Sequence, residues 1–254
     1  MKKSNMSIKP IWGIWVAGCI GLTACMGDPA GTIHYHRLGV VKEQPIRCIQ
    51  TMDDQGNLFL VSSADFENQE GLREGDCCAV DFKTNFVETL ADGVYKSEIF
   101  AYDTIAVWPV QESLTDTALI LPDEQFVTVD FGRSLYLAGR FFVQTQHTNH
   151  QADQQDLFDL SYDPAQVVEV DTLGQRCYNL FLRVRSLPGT GDSVKWIETS
   201  AFKLEDFLRQ VRPTEEALGE SKIRFCLNYP VRYNADTTAY IWGKTNMFTL
   251  QFSE

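Results

Sequence analysis

Positive charge is scarce in this chain. Twenty-two Lys and Arg stand against 34 Asp and Glu, a formal net charge of −12. Nucleic-acid binding and adsorption to anionic lipid both need a basic face, so this balance argues against either role. Catalytic signatures are missing too. There is no Gly-x-Ser-x-Gly, no His-Glu-x-x-His and no phosphate-binding loop sequence. No two cysteines have the Cys-x-x-Cys spacing of a zinc site. The acidic stretch 153–163 lacks the Asp-x-Asp-x-Asp-Gly pattern of a calcium loop. No cofactor is implied, and no repeat or low-complexity tract is present. Long apolar runs are absent as well. The longest, residues 11–22, falls short of the roughly 18–20 residues a spanning helix needs, and Gly27-Asp28-Pro29 follows it.

That short apolar run has a context. Lys2, Lys3 and Lys9 precede it or stand at its start, and Leu22-Thr23-Ala24-Cys25 closes it. The arrangement resembles the signal peptide and lipobox of bacterial lipoproteins. The resemblance implies a diacylglyceryl group on the Cys25 thiol, cleavage before Cys25 and fatty acylation (palmitate) of the new amino end. Two or more acyl chains anchor a protein stably where one does not. Membrane attachment through lipid on Cys25 is therefore expected, with residues 1–24 removed and 25–33 as a tether. Cleavage would remove three lysines and no acids, leaving a net charge of −15. Five further cysteines would remain, Cys48, Cys77, Cys78, Cys177 and Cys226, an odd number that leaves at least one unpaired within the chain.

The rest of the chain reads as β-structure. Short apolar runs between residues 34 and 117 are separated by turn signals at 53–57, 70–76 and Asp92-Gly93. The run 58–61 has the continuous apolar character of a strand buried on both faces. Cys78, Val80 and Phe82 alternate with Cys77, Ala79 and Asp81, which points Cys78 to a core and Cys77 to a polar side. This spacing suits a small barrel. Residues 118–254 alternate over longer strands. Val127, Val129 and Phe131 share a face, as do Phe141 and Val143, Phe158 to Tyr162, Tyr178 to Val184, and Ile223 to Tyr233. An antiparallel, immunoglobulin-like sandwich is expected there. Helix is expected only briefly, at 204–211 and 214–218.

A lipobox, a barrel and a sandwich in this order resemble the NigD-like lipoproteins of Bacteroidetes. The carriers are Leu22 to Cys25, the Gly-Asp and alternation of 75–82, the strand Phe158-Asp159-Leu160-Ser161-Tyr162, and the ending 223–252. The resemblance covers nearly the whole mature chain. It implies an all-β fold, with an N-terminal OB-like barrel and a C-terminal sandwich, and a cell-envelope address. It implies no activity. One acid only, Asp28, closely follows Cys25, which tilts the address toward an outer membrane and its periplasmic face.

Candidate chemistry is sparse. His147 and His150, near Asp153, Asp156 and Asp159, have ligand types for a divalent metal, but they read as a polar loop after a strand, so no metal site is assigned. His34 and His36 read as a solvated strand start. Ser200-Ala201-Phe202-Lys203 matches Ser-x-x-Lys without its Ser-Asp-Asn and Lys-Thr-Gly partners, and reads as chance. Trp108 and Tyr102 could stack a sugar, though a core role explains both. The sharpest feature is cationic. Opposite the apolar face of 178–184 stand Cys177, Asn179, Arg183 and Arg185; opposite that of 223–233 stand Arg224, Cys226, Asn228 and Arg232. If the strands are neighbours, Arg183, Arg185, Arg224 and Arg232 form a patch for an anion or acidic partner. The same adjacency would allow a Cys177–Cys226 disulfide if the backbones come close enough. The reading is a non-catalytic, lipid-anchored envelope protein that binds a protein partner, a glycan or a small ligand. Its rival is a hydrolase of envelope glycan with a dispersed carboxylate pair.

Overall fold

The computed structural model describes residues 33–112, 126–129, 135–187, 189–236 and 238–252. The expected signal peptide and Cys25 lie outside the described residues, as do the side chains of His147 and His150.

The first strands are β1 (Ile33–Lys42), β2 (Cys48–Met52), β3 (Leu58–Ser62), β4 (Cys77–Ala91) and β5 (Val94–Ile105). They close into a barrel in the order β1-β2-β3-β5-β4. β3 and β5 pair in parallel and the other pairs are antiparallel. A short helix, α1 (Ala64–Glu67), lies between β3 and β4, and the Ser63 hydroxyl accepts from the Phe66 amide at 3.1 Å as its cap. This is the five-stranded OB-type barrel expected. Val41, Ile49, Val61, Phe66, Leu72, Cys78, Val80 and Phe82 fill it. The run 58–61 is not buried on both faces. Leu58 is 55% exposed, because a barrel strand has a single interior.

Cys77 corrects a second expectation. It points away from the barrel core, but not to solvent: it is 1% exposed. It packs in a separate apolar layer with Val40, Leu137, Phe142 and Ala201, flanked by Leu38, Ile105 and Val107. These side chains come from the outer faces of both domains, so the layer joins barrel to sandwich.

The sandwich is built from β6 (Val107–Gln111), β7 (Phe126–Val129), β8 (Leu135–Leu137), β9 (Arg140–Ala152), β10 (Gln155–Ser161), β11 (Glu169–Val170), β12 (Arg176–Leu187), β13 (Thr190–Lys203), β14 (Lys222–Tyr233), β15 (Tyr240–Lys244) and β16 (Phe248–Gln251). Its order is β15-β14-β12-β10-β6-β13-β9-β7, with β8, β11 and β16 at the sides. β6 connects the two layers. Val107 to Pro109 run parallel to Ala201 to Lys203 of β13, while Val110 and Gln111 run parallel to Leu160 and Ser161 of β10. Pro109, which has no amide to donate, sits where the strand changes partner. Residues 107–111, grouped by sequence with the barrel, thus pair with the sandwich. The sandwich is also not wholly antiparallel: β6–β10, β6–β13 and β12–β14 are parallel.

The core between the layers follows the alternation read from sequence for Phe141 and Val143, Phe158 to Tyr162, Tyr178 to Val184, and Ile223 to Leu227. In β7, which has a register shift between Phe126 and Thr128, Phe126 and Val129 are buried; the side chain of Val127 and all of Phe131 lie outside the described residues. One helix, α2 (Glu205–Ala217), runs through Pro213 and unites the two brief helical stretches expected. Its buried residues Phe207, Val211 and Glu215 recur every four positions, one helical face. Phe207 meets Tyr162, Tyr178 and Phe225 edge-on at 5.1, 5.8 and 6.0 Å, closing one end of the core.

Candidate functional site

Where α2 crosses the end of β12, a cavity of about 290 Å³ opens to solvent. Tyr162, Tyr178 and Val211 line its apolar side, and Arg176, Gln210 and Gln166 bring polar groups to it. Arg176 and Tyr178 alternate with Cys177 and so share the inward face of β12. Pointing at that face from α2 is Glu215, 1% exposed. The Arg176 Nε donates to both Glu215 oxygens, at 2.9 and 3.2 Å, and the Tyr178 hydroxyl donates to Oε1 at 2.7 Å. The bond to Glu215 raises the Arg176 pKa, keeping its charge fixed. Burial, then the bond to Glu215, pushes the Tyr178 hydroxyl up to about 12. Tyr162 donates to the Gln210 side chain across the mouth. A buried carboxylate thus holds the Nε edge of Arg176, whose side chain remains a quarter exposed and lines a cavity. Such a fixed cation can receive a carboxylate or another small anion.

The arginines singled out by sequence are placed differently. β12 and β14 are neighbours, in parallel register from Tyr178↔Phe225 to Phe181↔Asn228. A parallel register separates Arg183 from Arg224 by about 20 Å along the strands. Both are buried, at 3% and 7% exposure. Arg183 donates to the Tyr240 hydroxyl at 3.1 Å and stacks on its ring, with Asp159 opposite on β10. Arg224 pairs with Glu220 at 3.2 Å. Only Arg185 and Arg232 face solvent. The middle of this outer face is a neutral belt. Asn228 donates to Asn179, Asn179 to Glu169, and Lys244 to Glu169 at 2.6 Å.

A carboxyl pair that the sequence did not reveal lies at the other end of the core. Asp156 shares the inward face of β10 with Phe158 and is 8% exposed. Its Oδ1 accepts from Ser186 at 2.6 Å and from Gln154 at 2.8 Å. Glu198 lies on β13, opposite Thr145 of β9. Burial, and then the charge of Asp156, push its carboxyl up to about 7.

The remaining candidates are accounted for by their surroundings. His147 and His150 lie within β9, opposite Trp196 and Val194, rather than in a loop. His34 stacks on Phe100 at 4.9 Å, and His36 Nδ1 lies 2.6 Å from Asp81. Ser200 is buried on β13, not at a helix start, and Lys203 is exposed. Trp108 packs against the sandwich core, 6.2 Å from Phe158. Tyr102 packs on Phe66 in the barrel and receives the Gln69 amide.

No protein-family model matches the chain, and no curated protein matches it in sequence. Solved structures do match. An uncharacterized protein of Parabacteroides merdae is 19% identical over 87% of this chain and all of its own, with a TM-score of 0.71. A proposed lipoprotein of Bacteroides fragilis is 11% identical over 87% of this chain and 99% of its own, with a TM-score of 0.55. A NigD-like immunity protein of Bacteroides caccae aligns with 89% of this chain and all of its own at 15% identity, with a TM-score of 0.49. What the first two share with this chain is the fold. The chain is thus built on the same two-domain, all-β fold as these Bacteroidetes proteins, as the NigD-like resemblance of its sequence implies.

Proposed function

We propose that this is a lipid-anchored envelope protein with a binding role, and that the Arg176 cavity receives an anionic group of its ligand or partner. The observation that carries the reading is the Arg176–Glu215–Tyr178 arrangement. A buried carboxylate with two donors is costly to assemble for stability alone, and here it fixes a cation against an open cavity. The anchor rests on Lys2 to Cys25, and a shared fold with a proposed lipoprotein supports it. The outer membrane and its periplasmic side rest on the single acid closely following Cys25.

The test is crosslinking of the lipidated protein in intact cells, with mass spectrometry of what is held. Arg176→Gln removes the charge and keeps a donor for Glu215. Loss of a recurrent partner in that variant is expected; equal capture would overturn the pocket assignment. Cys25→Ala should release the protein from the membrane and abolish palmitate labelling.

One observation favours the rival hydrolase. Glu198, held protonated into the neutral range by burial and by the charge of Asp156, has the raised pKa of a glycosidase acid. Release of reducing ends from envelope glycan by the native chain, and not by Glu198→Gln, would establish it.

A further inference from the structure

Beneath the Glu169–Lys244 pair, on the outer face of the sandwich, lie Cys177 and Cys226. Their Sγ atoms are 3.1 Å apart, about 1 Å beyond a bonded pair. Cys177 is 8% exposed and Cys226 is 5%. The approach follows from the parallel register of β12 and β14. Asn179 stands opposite Cys226, so Cys177 is the next residue outward on that face and leans toward its neighbour. The other described cysteines offer no such geometry. Cys78 lies in the barrel core and Cys77 in the layer between domains, on opposite faces of β4. The Cys48 Sγ lies 4.0 Å from the Gln44 carbonyl oxygen.

We propose that Cys177 and Cys226 form a disulfide in the exported protein. Nothing in this depends on the Arg176 cavity; it uses the envelope address only as the source of an oxidant. The oxidant is a disulfide compound, either a small-molecule disulfide or a disulfide oxidoreductase. A thiolate attacks one sulfur of that disulfide and releases its partner as a thiol. The second cysteine then displaces the remaining thiol. Two electrons pass to the oxidant, two protons leave the cysteines, and one Sγ–Sγ bond remains. Either cysteine can supply the thiolate. The two thiols share one hydrogen bond, so the sulfur that accepts it is the easier to ionise, and the Lys244 charge lowers the pKa of both. Both sulfurs are buried in the fold, so the exchange occurs as the chain folds. Once closed, the bond is shielded from reductants. It spans β13 and α2 and ties β12 to β14 behind the wall that carries Arg176, Tyr178 and Phe225.

The experiment uses the full chain, exported and recovered with its membrane. The protein is denatured in iodoacetamide without reductant and digested with trypsin. A linked pair of peptides, 177–183 with 225–232, two hydrogens lighter than their sum, is expected. It should vanish with dithiothreitol and in Cys226→Ser. The same full chain, solubilised and refolded with oxidised glutathione, should give the same linked pair. This second arm separates the bond from the envelope reading. Linkage on refolding but not in recovered membranes would retain the geometry and overturn the claim for the exported protein. Both cysteines recovered alkylated in both arms, or linked elsewhere, would overturn the proposal altogether. In the linked form, reduction should lower Tm by on the order of 10 °C, given the long loop that the bond closes.

Discussion

Glu198 provides a test of the structure that does not depend on knowing a ligand. Its carboxyl titrates at about 7 instead of the usual 4.5, first through burial and then through the charge of Asp156. The folded state holds a proton that the unfolded chain has lost, so the contribution to stability is intact below about pH 4.5. It declines as pH rises toward 7 and stays low above that. A shift of this size bounds the effect at about 3 kcal/mol. Glu198 keeps partial contact with water, and screening reduces the expected figure to about 1–2 kcal/mol. Glu198→Gln keeps the shape and removes the ionisation. It should leave stability at pH 4.5 nearly unchanged and raise it at pH 8 by about 1–2 kcal/mol, which for a chain of this length is about 3–6 °C in Tm.

The assay is thermal unfolding of both forms across pH 4 to 9, read as the difference between the two curves. Other titrating groups cancel in that difference. A gain that appears only above pH 5 and levels off near 7 is the expected shape. A constant gain, or a less stable variant at pH 8, would refute the burial assigned to the Glu198 carboxyl. Asp156→Asn adds a finer check. Because burial is the larger cause, the midpoint of the difference curve should move down but stay above 4.5.

Four further outcomes are expected. Glu215→Ala leaves Arg176 and the Tyr178 hydroxyl without their common acceptor, and should cost about 3–5 kcal/mol by urea unfolding, with Glu215→Gln costing less. Phe142→Ala opens the layer between barrel and sandwich; it should cost about 3–5 kcal/mol and split one calorimetric transition into two. Gly39→Ala would set a Cβ 2.3 Å from the Ile49 Cγ2, inside a filled barrel, and should cost about 1–3 kcal/mol. Burial pushes the Cys48, Cys77 and Cys78 thiols up to about 11, 12 and 12, so none should react with a disulfide reagent at pH 8 until the chain unfolds.

How much of this was legible in the sequence divides along a physical line. Period-two alternation is local, and it placed Phe158, Leu160, Tyr178 to Val184 and Ile223 to Leu227 in the core correctly. Turn residues such as Asp92-Gly93, where Gly93 has φ of 72°, are local too. What alternation cannot say is what covers the second face. Cys77 and Phe142 both lie on outward faces, and both are buried because another domain sits there. Nor can it give register. The arginines of β12 and β14 do lie on one face, but the parallel pairing that joins these strands sets Arg183 and Arg224 far apart and leaves each with its own partner. The same pairing brings Cys177 and Cys226 together, so one register dissolves the cationic patch and creates the thiol pair.

The Arg176 cavity shows the remaining step. Arg176 begins a strand and Glu215 ends a helix, 39 residues apart. Glu215 reads in sequence as one more surface acid of an acidic chain. Only its place four residues beyond Val211, itself four beyond Phe207, puts it on the buried face of α2. Pro213 masked that face by breaking the helical pattern into two pieces too short to be read together. A charged residue in phase with an apolar stripe must find a partner where it lands, and that partner is a cation beside an open cavity. Had Arg176 existed only to neutralise Glu215, a guanidinium enclosed on both edges would serve. The Arg176 side chain instead stays a quarter exposed and lines the cavity, and this residual exposure is what ties the pair to binding rather than to packing alone.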